Sequence, residues 1–145
     1  MKNTIIAKTS VSVDATPGQV WKALTTPALI KQYLMGTEVS SDWEVGSAIN
    51  YTGEYKGRKY HDKGVIKIMD PGKTFQSTYL SSMSGKEDEP ENYNLVTYNI
   101  SSRDNKTVII LTQDNIVTEA EKDQSTENWK AVLLKLKEVV EGLKR

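Results

Sequence analysis

The feature that most constrains the fold is a long amphipathic helix predicted for residues 123–143. Apolar side chains recur there at spacings of three and four residues: Trp129, Val132, Leu133, Leu136, Val139, Val140 and Leu143. About 21 helical residues span roughly 30 Å, enough to cross a small sheet. A capping-box pattern at 118–121 allows an earlier start, and residues 123–125 offer a later one. Because the apolar face must be buried, we expect it to pack on upstream strands.

The segments before this helix predict one strand, two short helices and then a run of strands. Alternation of apolar and polar residues over 5–13 predicts a half-buried strand. Thr16, Pro17 and Gln19 form a capping pattern, and Thr26-Pro27 repeats the cap-then-proline signal. Hairpin-length spacings from residue 36 to 116 predict about six antiparallel strands. We therefore predict a single α+β domain over 1–145, with a curved antiparallel sheet of about 6–7 strands around the C-terminal helix.

Composition excludes several classes of function. The 19 basic and 19 acidic residues balance, so no overall charge draws the chain to nucleic acid. There is no cysteine and a single histidine, so we expect neither a disulfide framework nor a zinc site, and no cofactor. No signal-peptide pattern or membrane-spanning apolar run is present, so we expect a cytoplasmic protein.

Tyrosines are the most informative candidates for a ligand site, because there are seven of them and one phenylalanine. If Tyr51, Tyr79 and Tyr98 face the helix, their rings and hydroxyls would line an amphipathic pocket. The alternative is that they are half-exposed strand residues, which are common. Gln113 is either a pocket amide or part of a solvated strand end. The complete predicted ligand-binding set is Tyr33, Ile49, Tyr51, Ile66, Tyr79, Tyr98, Gln113, Trp129 and Leu133.

Several segments, taken in order, carry a resemblance to a known family. They are the first strand with residues 14–25, the pair Tyr33-Leu34, residues 42–46, the strand from Gly64 to Asp70-Pro71, and residues 128–137. Residues 20–25 show the pattern valine-tryptophan-x-alanine-leucine-threonine. Together these segments resemble the START-like (SRPBCC) superfamily and, more narrowly, the family of homologues of the activator of heat-shock protein 90 ATPase. The resemblance covers nearly the whole chain and implies the helix-grip fold.

The resemblance implies several functions, because the superfamily includes hydrophobic-ligand carriers, polyketide cyclases and proteins without known activity. We predict a binding protein for a small apolar or amphipathic molecule, held in a cavity between sheet and helix. One alternative is a cyclase- or dehydratase-like enzyme, for which Glu54, His61 and Asp62 are the acid–base candidates. We expect His61 to be a solvated strand residue. Another alternative is a protein-interaction module, including a chaperone-related one, and the sequence also allows a homodimer.

Overall fold

A computed structural model describes residues 5–82 and 85–143. Its helices and strands follow one another as predicted, with a strand, two short helices, six further strands and a long helix. In chain order they are β1 Ile5–Val13, α1 Pro17–Thr25, α2 Pro27–Tyr33, β2 Glu38–Ser41, β3 Ala48–Tyr55, β4 Arg58–Asp70, β5 Thr74–Tyr79, a short 3-10 turn Pro90–Asn92, β6 Asn94–Arg103, β7 Lys106–Ile116 and α3 Glu119–Gly142. The predicted α+β helix-grip fold is confirmed.

The strands form one seven-stranded antiparallel sheet in the order β1-β7-β6-β5-β4-β3-β2. Strands β2 to β7 are therefore a meander, and β1 joins the sheet beside β7. The predicted meander of about six strands is confirmed. Twisted antiparallel strands curl when they form so long a meander, which gives the sheet a concave face for α3.

The two short helices are fixed at their starts by the predicted signals. The Thr16 hydroxyl oxygen accepts a hydrogen bond from the Gln19 backbone N–H at 3.1 Å, and the Gln19 side chain accepts one from the Thr16 N–H at 2.9 Å. This reciprocal pair is a capping box, with Pro17 at the first helical position. The Tyr33 hydroxyl donates to the Ala23 carbonyl at 3.1 Å, which ties α2 to α1.

Helix α3 begins at the earlier of the two predicted positions. The Thr118 side chain accepts a hydrogen bond from the Glu121 N–H, so the capping signal at 118–121 sets the start. Leu133, Leu136 and Val140 are fully buried against the sheet. No helix within residues 5–82 and 85–143 has the length and apolar character needed to cross a membrane.

A glycine allows β4 and β5 to approach closely beside the candidate site. A Cβ atom built on Gly64 would lie 1.7 Å from the Thr78 carbonyl oxygen, so any side chain there would collide with backbone. The Val65 N–H donates to the Thr78 hydroxyl at 2.9 Å, and the pairing continues at Lys63 and Leu80. This close approach brings the start of β4 against the end of β5.

Candidate functional site

An aromatic cavity lies between the concave face of the sheet and the first half of α3. It has a volume of about 110 Å³, roughly the room that three to four water molecules occupy in the liquid. Half of its wall residues are aromatic, and strands β3 to β6 supply most of them. The lining residues are Leu34, Thr37, Tyr51, Tyr60, Asp62, Ser77, Tyr79, Val96, Tyr98 and Trp129.

Two wider spaces lie on the side of α2, one next to the inner cavity and the other beyond it. The first, the mouth, has a volume of about 450 Å³ and shares Leu34, Thr37, Tyr60, Asp62 and Tyr79 with the inner cavity. The second, the outer groove, has a volume of about 590 Å³ and runs between α2 and α3 past Met35, Tyr55 and Val132. Its wall is largely apolar. The three spaces form a series from a small aromatic interior with a few polar groups to a broad apolar groove.

Asp62 is the buried charged group of the cavity wall, with 9% of its surface exposed. One carboxylate oxygen accepts a hydrogen bond from the Tyr79 hydroxyl at 2.6 Å. The other accepts from the Ser82 N–H at 2.8 Å and from the Ser82 hydroxyl at 3.0 Å. Because a buried carboxylate is costly unless it is hydrogen-bonded, these three donors are what hold Asp62 in the wall.

Tyr60 closes the wall between the inner cavity and the mouth. The Thr37 hydroxyl donates to the Leu34 carbonyl at 2.6 Å, so its oxygen is available to accept from the Tyr60 hydroxyl at 2.7 Å. The ring of Tyr60 lies across the backbone of Gly53, where a Cβ atom would come within 2.3 Å of the Tyr60 oxygen. Glycine at position 53 is therefore what allows Tyr60 to reach Thr37.

Tyr51 and Tyr98 bring two further hydroxyls to the wall of the inner cavity. Tyr98 makes no hydrogen bond to any described residue, and no side-chain polar atom in the described part of the chain is both fully buried and unpartnered. The Tyr98 hydroxyl is therefore accessible from the cavity space. Burial raises the pKa of Tyr51 to about 12, although a hydrogen bond from Ser77 opposes the increase.

The remaining buried tyrosines are also held in their neutral form. Burial raises the pKa of Tyr98 well above its usual range. Burial, and then the hydrogen bond to Asp62, raise the pKa of Tyr79 well above its usual range, and burial does the same for Tyr33. Near neutral pH these hydroxyls are therefore hydrogen-bond donors or acceptors and not bases.

Trp129 covers the cavity from the side of α3. Its indole N–H donates to the Gln113 side-chain oxygen at 2.6 Å, which fixes the plane of the ring. The indole meets the ring of Tyr98 edge-on, with ring centres 6.4 Å apart and planes at 85°. The bond to Gln113 thus links the first half of α3 to β7 directly above the cavity.

The structure brings together some of the predicted site residues and separates others. Four of them line the inner cavity: Tyr51, Tyr79, Tyr98 and Trp129. Tyr33 lies at the mouth and along the outer groove. Ile49, Ile66 and Leu133 are packed in the core and do not line the inner cavity, while Gln113 stands behind Trp129.

The lining residues Leu34, Thr37, Tyr60, Ser77 and Val96 were not in the predicted set. The alternation of β4 could have identified Tyr60, because Tyr60 and Asp62 lie on the same face of that strand. Asp62 was named only as an acid–base candidate, and it lies in the wall. Glu54 lies at the mouth, whereas His61 is exposed and pairs with the Asn50 side chain at 2.8 Å.

A second, more polar cleft lies at the opposite end of β6 and β7. It has a volume of about 400 Å³ and runs from the start of α1 to the turn at 103–106. It has no wall residue in common with the aromatic cavity. Within residues 5–82 and 85–143, no group of three or more histidine, aspartate or glutamate side chains is placed to hold a metal ion.

Known proteins with a similar sequence or structure have the same fold as this chain. A family model described as Activator of Hsp90 ATPase homolog 1-like protein matches residues 14–141. The solution structure of ChR145 from Cytophaga hutchinsonii is similar, with 39% identity over 98% of this chain and 97% of that one, and a TM-score of 0.85. No curated protein matches this chain.

Two more distant structures show the fold alone. The Aha1 dimer from Colwellia psychrerythraea is 20% identical over 94% of this chain and 96% of that one, with a TM-score of 0.75. CalU16 from Micromonospora echinospora is 17% identical over 96% of this chain and 87% of that one, with a TM-score of 0.71. At these identities the shared architecture does not carry a shared ligand or activity.

Proposed function

This chain belongs to the Activator of Hsp90 ATPase homolog 1-like protein family, and we propose that it binds a small amphipathic molecule in the aromatic cavity. The observation that carries the proposal is the hydroxyl of Tyr98, which bonds to no described residue and borders the aromatic cavity. A ligand whose polar end occupies the cavity makes dispersion contacts with the aromatic wall and lies against this hydroxyl.

The arrangement of polar and apolar groups supports an orientation for the ligand. Tyr51, Ser77 and Tyr98 place hydroxyls in the inner cavity, whereas Met35 and Val132 line the outer groove. The inner cavity is too small for more than the polar end of a ligand. The apolar body then lies along the mouth and outer groove, where each buried CH₂ group contributes about 0.8 kcal/mol before the costs of binding.

An enzyme of the cyclase or dehydratase kind has weaker support. Such a reaction needs a general acid or base that is free to exchange a proton with the substrate. Both oxygens of Asp62 already accept hydrogen bonds from Tyr79 and Ser82. Tyr51, Tyr79 and Tyr98 keep their protons at neutral pH, because burial raises the pKa of each. These features favour binding and orientation over proton transfer.

A protein-interaction role has one favourable observation, the exposed Met35 at the rim of the mouth. Met35 is 91% exposed and Tyr55 is 57% exposed. Both residues line the mouth and the outer groove, so an apolar ligand body accounts for them as well as a partner surface does. The homodimer, the chaperone partner and the cytoplasmic location stay predictions.

Titration of the isotope-labelled protein with octanol, a neutral amphiphile, followed by NMR tests the proposal. We expect saturable shifts of the backbone amide signals of Leu34, Thr37 and Ser77. The amide signals of Asp104 and Lys106, in the second cleft, should not move. Absence of saturable shifts around the cavity would overturn the proposal, as would shifts confined to the second cleft.

A cavity-filling variant sharpens the test. Val96 is buried and lines the inner cavity, so Val96→Phe adds a ring where we propose that the polar end of the ligand sits. We expect octanol affinity to fall about tenfold or more, because the space is no longer available. Val11→Phe is the matched control, since Val11 is a half-buried strand valine that does not line the cavity. Equal losses in both variants would contradict the proposed location.

A further inference from the structure

We infer that the ligand of this cavity carries a small organic cation at its inner end, such as a methylated ammonium group. The inference rests on the proposed binding function and names the class of ligand for the same site. It comes from three properties of the inner wall: its aromatic faces, its carboxylate and its lack of positive charge.

Aromatic residues from β3 to β6 and from α3 line the inner cavity on several sides. Tyr51 and Tyr79 meet edge-on with ring centres 5.6 Å apart, and Tyr98 and Trp129 meet edge-on at 6.4 Å. Tyr60 closes a further side. The two rings of an edge-on pair form a corner, so a group that lies in this corner contacts the face of each ring. A cation within about 6 Å of such faces is attracted by their quadrupoles, most strongly where water is excluded.

Asp62 adds a negative charge to the same wall. It is nine-tenths buried, and it lines both the inner cavity and the mouth. Its hydrogen-bonding partners are a tyrosine hydroxyl, a serine hydroxyl and a backbone N–H, which are all neutral. No ion pair with Asp62 exists among the described residues, so its charge is not neutralised by the protein. A buried charge without an opposite partner is costly, and a bound cation would supply that partner.

The rest of the wall disfavours an anion. None of the ten residues that line the inner cavity is a lysine, arginine or histidine. The nearest described cation along β4, Lys63, points to the surface and pairs with Asp88. An anionic head group would lie beside Asp62 without a compensating charge, and only neutral groups such as the hydroxyls of Tyr51, Ser77 and Tyr98 could solvate it.

Size also matches a compact cation. The volume of about 110 Å³ suits a group of a few heavy atoms. A methylated ammonium has few or no N–H donors, so it needs few hydrogen bonds. Aromatic faces and one carboxylate are enough to stabilise its charge. The apolar body that follows it would leave through the mouth, past Leu34 and Val132, into the outer groove.

Three probes of equal chain length test this inference on the intact protein: octyltrimethylammonium, octanol and octanoate. We expect octyltrimethylammonium to bind about tenfold more tightly than octanol, and octanoate to bind most weakly. Isothermal titration calorimetry gives the three affinities, and NMR amide shifts verify the location. If octanol or octanoate binds as tightly as the cation, the inference is overturned while the proposed function stands. If none of the three binds, both are overturned.

Variants separate charge from general packing. Asp62→Asn keeps the size of the side chain and removes its charge, so we expect it to lose most of the preference for the cation and to keep octanol affinity. Asp104→Asn, in the turn of the second cleft, is the matched control and should change neither affinity. Tyr98→Phe should weaken cation binding less than Tyr98→Leu, because only the leucine variant removes the ring face. An unchanged cation preference in Asp62→Asn would contradict the role of this carboxylate.

Discussion

The interior of this protein has two parts that differ in chemistry and in packing. Beside β1 and β7, aliphatic residues fill the core completely; Val13, Ile109, Leu111, Leu136 and Val140 have essentially no exposed surface. Beside β3 to β6, the wall consists of tyrosines, a tryptophan and a carboxylate around an unfilled space. We call the part beside β1 and β7 the filled part and the part beside β3 to β6 the hollow part. Helix α3 covers both.

Helix α3 shows how the two parts divide their roles. Its second half inserts Leu133, Leu136 and Val140 into the aliphatic core, which fixes the helix on the sheet. Its first half contributes Trp129 to the cavity, where the bond to Gln113 holds the indole in place. Hydrophobic burial in the filled part therefore supplies most of the stability. The buried polar groups of the hollow part contribute less to stability, and the fold tolerates them because the filled part compensates.

The hollow part should govern stability at high pH. The pKa of Tyr51 is raised from 10 to about 12, and those of Tyr33, Tyr79 and Tyr98 are raised as well. The unfolded chain ionises these tyrosines first, so their contribution is complete below pH 10 and is lost as the pH rises above it. Above pH 10, each of these tyrosines lowers the free energy of unfolding by up to about 1.4 kcal/mol per pH unit.

Urea unfolding measured across this alkaline range, with tyrosinate absorbance as the second signal, tests that expectation. The buried tyrosines Tyr33, Tyr51, Tyr79 and Tyr98 should ionise together as the protein unfolds. Ionisation of all tyrosines near pH 10 in a protein that stays folded would show that the hollow part is open to water.

The filled part should show the largest effect of a single truncation. Leu136 is fully buried, so Leu136→Ala leaves a void and should lower the free energy of unfolding by about 3 kcal/mol. Leu134→Ala is the control on the same helix; Leu134 is 52% exposed and should cost less than about 0.5 kcal/mol. Chemical denaturation measures both. A large loss of octanol affinity in Leu136→Ala, with the protein still folded, would mean that the two parts are not separate.

A smaller effect is expected for the hydroxyl that bonds to Asp62. Tyr79→Phe removes one of the three donors to a buried carboxylate and should cost about 1.5 kcal/mol of stability. Tyr55→Phe, at an exposed ring, is the control and should be close to neutral. Equal stability of both variants in denaturant unfolding would show that water replaces the lost donor, and hence that Asp62 is more accessible than its burial indicates.

The smallest effect concerns the link between α3 and the end of β1. The Asp14 N–H, which donates at 2.8 Å, and then the Lys137 ammonium hold the pKa of Glu141 below its usual range. This contribution is present above the ordinary pKa of a glutamate and is lost as the pH falls through the lowered value. Glu141→Gln should cost about 0.5 kcal/mol at neutral pH and nothing in acid. Glu138→Gln, at the more exposed pair with Lys135, should cost less.

The sequence predicts the filled part of the interior better than the hollow one. Alternation identifies the inward face of β3, but it does not tell that Ile49 lies in the core while Tyr51, on the same face, lines the cavity. Whether an inward-facing strand residue lies in the core or in the cavity wall depends on where α3 crosses the sheet. Likewise, the pairing of Trp129 with Gln113 requires the position of α3 over β7, which no local pattern contains.

Close approaches between strands account for most of the missed residues. Tyr60 enters the wall because Gly53 leaves room for its ring, a contact between neighbouring strands. The partners of Asp62 come from β5 and the segment after it, and they meet Asp62 because Gly64 lets β5 approach. Single glycines in strands are visible in the sequence, but the ring or carbonyl that occupies the space they leave is not.

The central claim, that the hollow part takes a ligand and the filled part does not, is tested most directly by intermolecular nuclear Overhauser effects with bound octanol. The account predicts contacts from the hydroxyl-bearing carbon of octanol to the rings of Tyr51, Tyr98 and Trp129, contacts from its far methylenes to Met35 or Val132, and none to Leu136 or Val140. Contacts to Leu136 or Val140, or none to the three rings at saturation, would contradict it.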